Sequence, residues 1–223
     1  MKKTLIAIDG LDASGKKTQT NLLTDYLTLR KIEYRHLSFP TYEDRYASLV
    51  KLYLSGAFGD DPEAVNAYAA SSFFAMDRYS SYMLDSKKDY DEGKIIIANR
   101  YTTANAVHQL SKLPDSEYKP FLKWLYDYEF KKLGLPRPDV VLYLSLPPEL
   151  SLRLIEKRSA ETGLEKDIHE KSRAHIQNSY NAVLFSSREL GWHRIDCNRG
   201  DGMRSREDIH GEIVSYLNQK GIL

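Results

Sequence analysis

Residues 4–20, TLIAIDGLDASGKKTQT, constrain this chain more than any other stretch. Leu5, Ile6, Ala7 and Ile8 form a short apolar run of the kind that makes a buried parallel strand. The run stops at Asp9 and Gly10, and a helical pattern begins near Lys16. Between them, Gly10, Leu11, Asp12, Ala13, Ser14, Gly15 and Lys16 fit G-x-x-x-x-G-K in the strand–loop–helix context that this anion-binding motif requires. Gly10 and Gly15 let the backbone turn and approach an anion with no Cβ in the way. The loop amides and the helix N-terminus then point at that anion, and Lys16 brings a mobile positive charge to the outer phosphates. The plainer reading is a glycine turn between a strand and a helix.

One position breaks the pattern. A Ser or Thr hydroxyl normally follows the lysine and ligates Mg²⁺. Here it is Lys17, which cannot ligate a cation while charged. Thr18 lies one residue further along, about 100° round the helix, so it does not simply take over. The phosphate cradle is complete in sequence while the metal ligand is missing.

The rest of the chain alternates strand and helix patterns, which predicts a parallel sheet with helices on both faces and ligands at the carboxyl ends of the strands. Helical spacing runs to about residue 30, and residues 34–39 read as a second strand ending at Pro40. Leu49, Val50, Tyr53 and Leu54 mark a short helix. Asp61, Pro62 and Glu63 look like the start of a long one that continues into the 80s. Residues 94–98, 138–144 and 193–196 read as further strands, with Asn99, Arg100 and Tyr101 at the end of the first. Residues 103–111 and 117–132 read as helices. The aromatics of the second (Phe121, Trp124, Tyr126, Tyr128, Phe130) read as core or a subunit contact. A helix from Pro147 to Leu154 precedes a charged stretch, residues 157–170, that lacks apolar periodicity. This stretch reads either as a solvated loop or as a mobile flap carrying Arg158 or Lys166 over a nucleotide. Helices over residues 171–186 and 206–219 complete the pattern.

The 223 residues suit one α/β domain. With 32 basic against 31 acidic residues, no electrostatic footprint for duplex nucleic acid or an anionic membrane stands out. No apolar run approaches the ~18 residues of a membrane span, and the start lacks a signal-peptide pattern. A single cysteine, Cys197, excludes an internal disulfide and a cysteine-based zinc cluster. It reads as a small core residue in a chain from a reducing, intracellular setting.

Taken together, the loop at 10–16, Phe39-Pro40, FFAMDR at 73–78, Asn99-Arg100-Tyr101 and PDVVLYL at 138–144 resemble the thymidylate kinase family in order and spacing over nearly the whole length. That resemblance implies a single domain over residues 1–223, with a five-stranded parallel sheet, surrounding helices and a lid near residues 157–170. It also implies a cytoplasmic homodimer that transfers the γ-phosphoryl of ATP to dTMP with Mg²⁺.

Residue by residue, the resemblance implies that Gly10, Asp12, Ala13, Ser14, Gly15, Lys16, Lys17 and Thr18 meet the ATP phosphates. Asp12 also reaches the acceptor's sugar 3′-hydroxyl. Phe39 and Pro40 border the acceptor, Phe74 stacks on thymine, and Arg78, one turn on, hydrogen-bonds the base. A flat ring and a forked donor on one helix face suit a planar base with carbonyl edges. Arg100 grips the acceptor's phosphate, with Tyr101 following it. Asn105 lies against the base, and His108 stands where an aromatic normally blocks a ribose 2′-hydroxyl. Ala13 replaces an arginine found in some members, so the arginine is expected from the lid, as Arg158. Lys16, Arg100 and Arg158 are the expected catalytic cations.

The chain also departs from the family. Asn99 replaces an aspartate, Thr41 replaces a charged residue after Pro40 (with Arg45 a possible substitute), and Ser145 replaces a common acid. The changes at 17 and 99 both fall where metal and transfer chemistry meet, so the metal ligands are left unassigned and Lys17 is a candidate to neutralise charge in their place. Two other functions stay open at this stage: a nucleoside or nucleoside monophosphate kinase with another acceptor, and a nucleotide-binding protein with impaired catalysis.

Overall fold

A computed structural model describes residues 3–163 and 167–223. Its centre is a five-stranded parallel sheet in the order β2-β3-β1-β4-β5, built from β1 (Thr4–Gly10), β2 (Tyr34–Ser38), β3 (Ile95–Asn99), β4 (Val140–Ser145) and β5 (His193–Asp196). A two-residue hairpin, β6 (Asn198–Arg199) with β7 (Gly202–Met203), follows β5. The helices are α1 (Lys16–Leu29), α2 (Ser48–Leu54), α3 (Ala67–Ser81), α4 (Lys87–Asp91), α5 (Thr102–Ala104), α6 (Tyr118–Tyr126), α7 (Pro148–Thr162), α8 (Ile168–Lys171), α9 (Arg173–Glu189) and α10 (Arg206–Gln219). No helix among the described residues is long and apolar enough to cross a membrane.

β1 is central because every one of its residues is buried. Successive side chains of a strand point to opposite faces. Ile6 and Ile8 therefore pack with Leu23 and Leu27 of α1 and Ile209, Ile213 and Leu217 of α10. Leu5 and Ala7 pack on the other face with Ile96, Ala98, Phe39 and Tyr101. Each fully buried Ile or Leu contributes about 1.5–3 kcal/mol of transfer free energy, so a strand buried on both faces fixes the origin of the loop that follows it. A further core below β4 gathers Phe121, Leu122 and Leu125 of α6 with Tyr143, Ile155 and Val183.

Three boundaries differ from the sequence expectation. Asp61 does cap Glu63, but only a single 3₁₀ turn, Pro62–Ala64, follows. Val65 is extended, and Asn66 caps the true start of α3 by accepting from Ala69 N. A second strong cap five residues downstream outcompetes the Pro-initiated turn. At the other end of the chain, α7 continues eight residues past Leu154, to Thr162, where Gly163 at φ 67° ends it. Its last turns are rich in Lys, Arg, Glu and Ala, which favour helix without any apolar stripe. Finally, α3, α5 and α6 each run on into a π-helical turn, at Tyr82–Ser86, Asn105–Gln109 and Asp127–Lys132. Such turns gather at functional sites.

Candidate functional site

One cavity of about 380 Å³ opens at the carboxyl ends of β1, β2 and β3, and Asp12, Lys17, Phe74, Arg78, Arg100 and Arg158 are on its wall. Phe39, Pro40, Asn99, Tyr101, Asn105 and His108 line it as well. Gly10, Ala13, Ser14, Gly15, Lys16 and Thr18 form the loop and first helical turn beside it and are outside its lining. Arg45 is exposed, also outside the lining, and Thr41 instead donates its backbone N–H and hydroxyl to Asp77. Lys166 lies outside the described residues.

The loop geometry follows from its two glycines. A Cβ at Gly10 would sit 2.4 Å from the Leu144 carbonyl oxygen of β4 and 2.7 Å from Ser14 Oγ. Gly15 caps α1 at φ 92°, a left-handed conformation that costs other residues about 1–2 kcal/mol. Lys16 Nζ donates to the Gly10 and Leu11 carbonyls at 2.9 Å each and lies 3.7 Å from Asp12. Burial first, and the nearby Arg100 charge second, push its amine down to about 8.

Arg100 is the hub of the side next to the glycine loop. It leaves β3 at φ 64°, a strained backbone for a side-chain-bearing residue and of the kind found at functional sites. Its Nη2 pairs with Asp12, its Nη1 meets His108 Nε2 at 2.8 Å, and Asp9 lies 3.9 Å away. Burial opposes the charge, yet the Asp12 and Asp9 carboxylates hold the guanidinium above its ordinary value. Asp12 answers in kind: burial raises it, but Arg100 and Lys16 outweigh that and hold its carboxyl well below the usual range. Across the cavity, Arg158 Nη2 grips Glu170 through both oxygens at 2.8 and 2.7 Å.

The other side is built differently. Arg78 is 1% exposed and gives Nε to Glu129 Oε2 at 2.8 Å and Nη2 to Oε1 at 2.5 Å. Glu129, fully buried in the π turn after α6, also accepts from Thr102 Oγ1 at 2.6 Å and Asn105 Nδ2 at 3.1 Å. Arg78 Nη1 lies 3.4 Å from the Tyr101 carbonyl. Phe74 meets the edge of Tyr53 at 6.1 Å. Glu129 is absent from the sequence expectation because it sits among aromatics that read as core. No local signal separates it from Lys123, Asp127 and the other charged residues of that helix.

Three histidines, His108, His169 and His175, bring ring nitrogens within 4.8 Å of one another. They do not make a metal site. Arg100 only donates, so His108 Nε2 accepts from it. Lys112 donates to Tyr53 Oη at 2.7 Å, which leaves the tyrosine proton for His169 Nε2 at 2.8 Å, nearer than the Pro62 carbonyl at 3.4 Å. Both lone pairs are therefore spent on donors, and the rings stack instead of converging, with centroids 4.4–5.7 Å apart across the three pairs. Burial holds all three imidazoles below their ordinary value, His175 at about 4, and neither nitrogen of His175 has a partner.

The comparisons with known proteins converge. A family model described as thymidylate kinase matches residues 8–200. The thymidylate kinase of Mycobacterium tuberculosis is 29% identical over 192 residues, covering 84% of this chain and 87% of that protein. That of Plasmodium falciparum is 27% identical over 219 residues, covering 98% and 91%. The solved structure of thymidylate kinase from Candida albicans superposes with a TM-score of 0.69 at 20% identity, over 99% of this chain and 93% of that one, a likeness of fold.

Proposed function

The chain belongs to the thymidylate kinase family, and from that premise we propose phosphoryl transfer from ATP to dTMP, giving ADP and dTDP by direct in-line displacement. The observation that carries this reading is that a single cavity joins three cations beside a phosphate-binding loop (Lys17, Arg100, Arg158) to a ring, an arginine and an amide (Phe74, Arg78, Asn105). The first set suits transferring phosphates, the second a planar base with carbonyl edges.

In this reading the loop amides and Lys16 hold the ATP phosphates, Arg100 exchanges Asp12 for the acceptor's phosphate, and Arg158 leaves Glu170 to meet the group in flight. Phosphoryl transfer needs positioning and charge neutralisation more than a strong base. Asp12, once freed, meets the sugar 3′-hydroxyl. Residues 157–170 act as the lid that brings Arg158 across. A homodimer and a cytoplasmic location complete the assignment.

Positions 17 and 99 and the end of β1 offer Mg²⁺ no free carboxylate. Among the described residues, both Asp9 oxygens accept hydrogen bonds, from Gly10 N and Thr103 Oγ1. The cavity wall at 17 offers an amine, and Asn99 Oδ1 is a neutral, buried, unpartnered acceptor. Mg²⁺ is therefore assigned to the ATP phosphates and water, where it supplies charge neutralisation.

The test is ADP production with ATP, Mg²⁺ and dTMP set beside UMP, CMP, AMP and thymidine. Selective turnover of dTMP is the expected outcome. Selective turnover of another acceptor would retain the kinase and discard the base site. Binding of ATP and dTMP without turnover would make positions 17 and 99 the seat of lost catalysis.

A further inference from the structure

The polar groups around Arg78 leave little freedom. Glu129 is a carboxylate with no hydrogen to give, and the Ser71 carbonyl has none either. Asn105 Nδ2 donates to both, at 3.1 Å each, so the orientation of its amide is fixed and Oδ1 is the atom left over. Arg78 commits Nε and Nη2 to the same carboxylate, and Nη1, with one N–H toward the Tyr101 carbonyl at 3.4 Å, keeps a second N–H to give. Both residues line the cavity. The outcome is one donor and one acceptor in the lining of one cavity, both held by a third residue that lines no part of it.

We propose that Glu129 is a positioning residue that sets the hydrogen-bond polarity of the base site, so that the site takes a 4-oxo pyrimidine and rejects a 4-amino one. The inference rests on reading the cavity as the acceptor nucleotide's site. A 4-oxo pyrimidine offers an acceptor at O4 beside a donor at N3–H, which complements Arg78 Nη1 and Asn105 Oδ1. A 4-amino pyrimidine reverses both, with a donor at N4 and an acceptor at N3, so donor would face donor and acceptor would face acceptor. A buried polar group left without its partner is what allows such sites to discriminate strongly. Were the amide of Asn105 free to flip, it would serve either edge. Glu129 and the Ser71 carbonyl together oppose the flip, and Glu129 holds the arginine fork at the same time. Thr102 Oγ1, at 2.6 Å, fixes the carboxylate in turn.

The experiment compares dTMP with 5-methyl-dCMP, which differ only at position 4 and in the proton at N3. In the parent enzyme, kcat/KM for dTMP exceeds that for 5-methyl-dCMP by about 100-fold or more; near-equality overturns the proposal. A parent enzyme that makes no dTDP at all strikes instead at the proposed function, a distinguishable failure. Glu129→Gln, checked for folding by thermal melting, raises KM for dTMP about 10-fold with kcat and KM for ATP within about twofold, and lowers the dTMP preference at least about 10-fold. A folded variant with parental KM and parental preference overturns the role of Glu129. If Glu129→Gln yields no folded protein, Thr102→Val carries the test, because it loosens the carboxylate without removing it. It raises KM for dTMP about twofold to fivefold and leaves KM for ATP in place; an unchanged KM for dTMP refutes the proposal.

Discussion

Two of the arginine–carboxylate pairs at the cavity, one of them with its acid behind the wall, are built to opposite ends. Arg78 and Glu129 are 1% and 0% exposed in their side chains, joined side-on through two bonds, with Thr102 and Asn105 completing the carboxylate. Arg100 and Asp12 are 17% and 22% exposed, joined through a single guanidinium nitrogen, and Arg100's other end is shared with a histidine. The first pair is a finished structure, and in the proposed reading its leftover atoms recognise the base. The second is a set of charges held ready for a different partner, since a phosphate matches the arginine better than one carboxylate oxygen does. In that reading recognition and transfer use the same two residue types, separated by how completely each carboxylate is satisfied.

The comparison breaks most visibly at Arg100. Arg100→Ala is expected to lower kcat by about 10³-fold or more while leaving the melting temperature within a few degrees, because its charge serves the transfer and its pair is partly open to solvent. Steady-state assays beside a thermal melt measure both. Glu129→Ala should do the reverse and strand a buried guanidinium at about 3–5 kcal/mol, a fall of roughly 10 °C in melting temperature. If the two variants lose stability equally, the contrast between the pairs is wrong.

Acid separates the regions next. His175 holds its proton less tightly when folded, at about 4, than the ordinary 6.5, so the unfolded chain protonates first. Its contribution is fully present above about pH 6.5 and is lost as pH falls towards 4, by about 2–3 kcal/mol at pH 4.5. His108 and His169 are displaced in the same direction and add to the loss. Melting curves at pH 7 and 4.5 for the parent and His175→Leu measure it, and an equal acid sensitivity in both would remove His175 from the account. The smallest effect concerns the metal side. Lys17→Thr with Asn99→Asp should raise activity at limiting Mg²⁺ by about 10-fold, and an unchanged or lower rate would show that Lys17 does not stand in for lost ligands.

What the sequence made legible follows the range of the forces involved. The strand over residues 4–8, the glycine loop and the order of the segments ending at Phe39, Arg100 and Leu144 are local or periodic signals, and they stand in the structure where spacing put them. The start of α3 was misjudged because Asp61-Pro62-Glu63 and Asn66 are both credible caps, and the extended Val65 decides between them. The end of α7 lies beyond its apolar pattern because its final turns have helix propensity without an apolar face. Glu129 was invisible for another reason. Its meaning depends on Arg78, 51 residues earlier, and on π turns that alter which side chains share a face. The histidine cluster is likewise assembled from α5's extension, α8 and α9, so no window of sequence contains it.

The two glycines of the loop, finally, set different limits on how this enzyme can change. Gly15 has nothing within 4 Å of where a Cβ would lie, so only its own dihedral angle resists substitution. That cost of about 1–2 kcal/mol can be absorbed by a background stabilised elsewhere. A Cβ at Gly10 would meet the Leu144 carbonyl oxygen at 2.4 Å, an obstruction that no distant stabilising mutation relieves. In a directed-evolution library the first position is a slope and the second a wall. Any variant that passes through position 10 has to carry a displaced β4 with it.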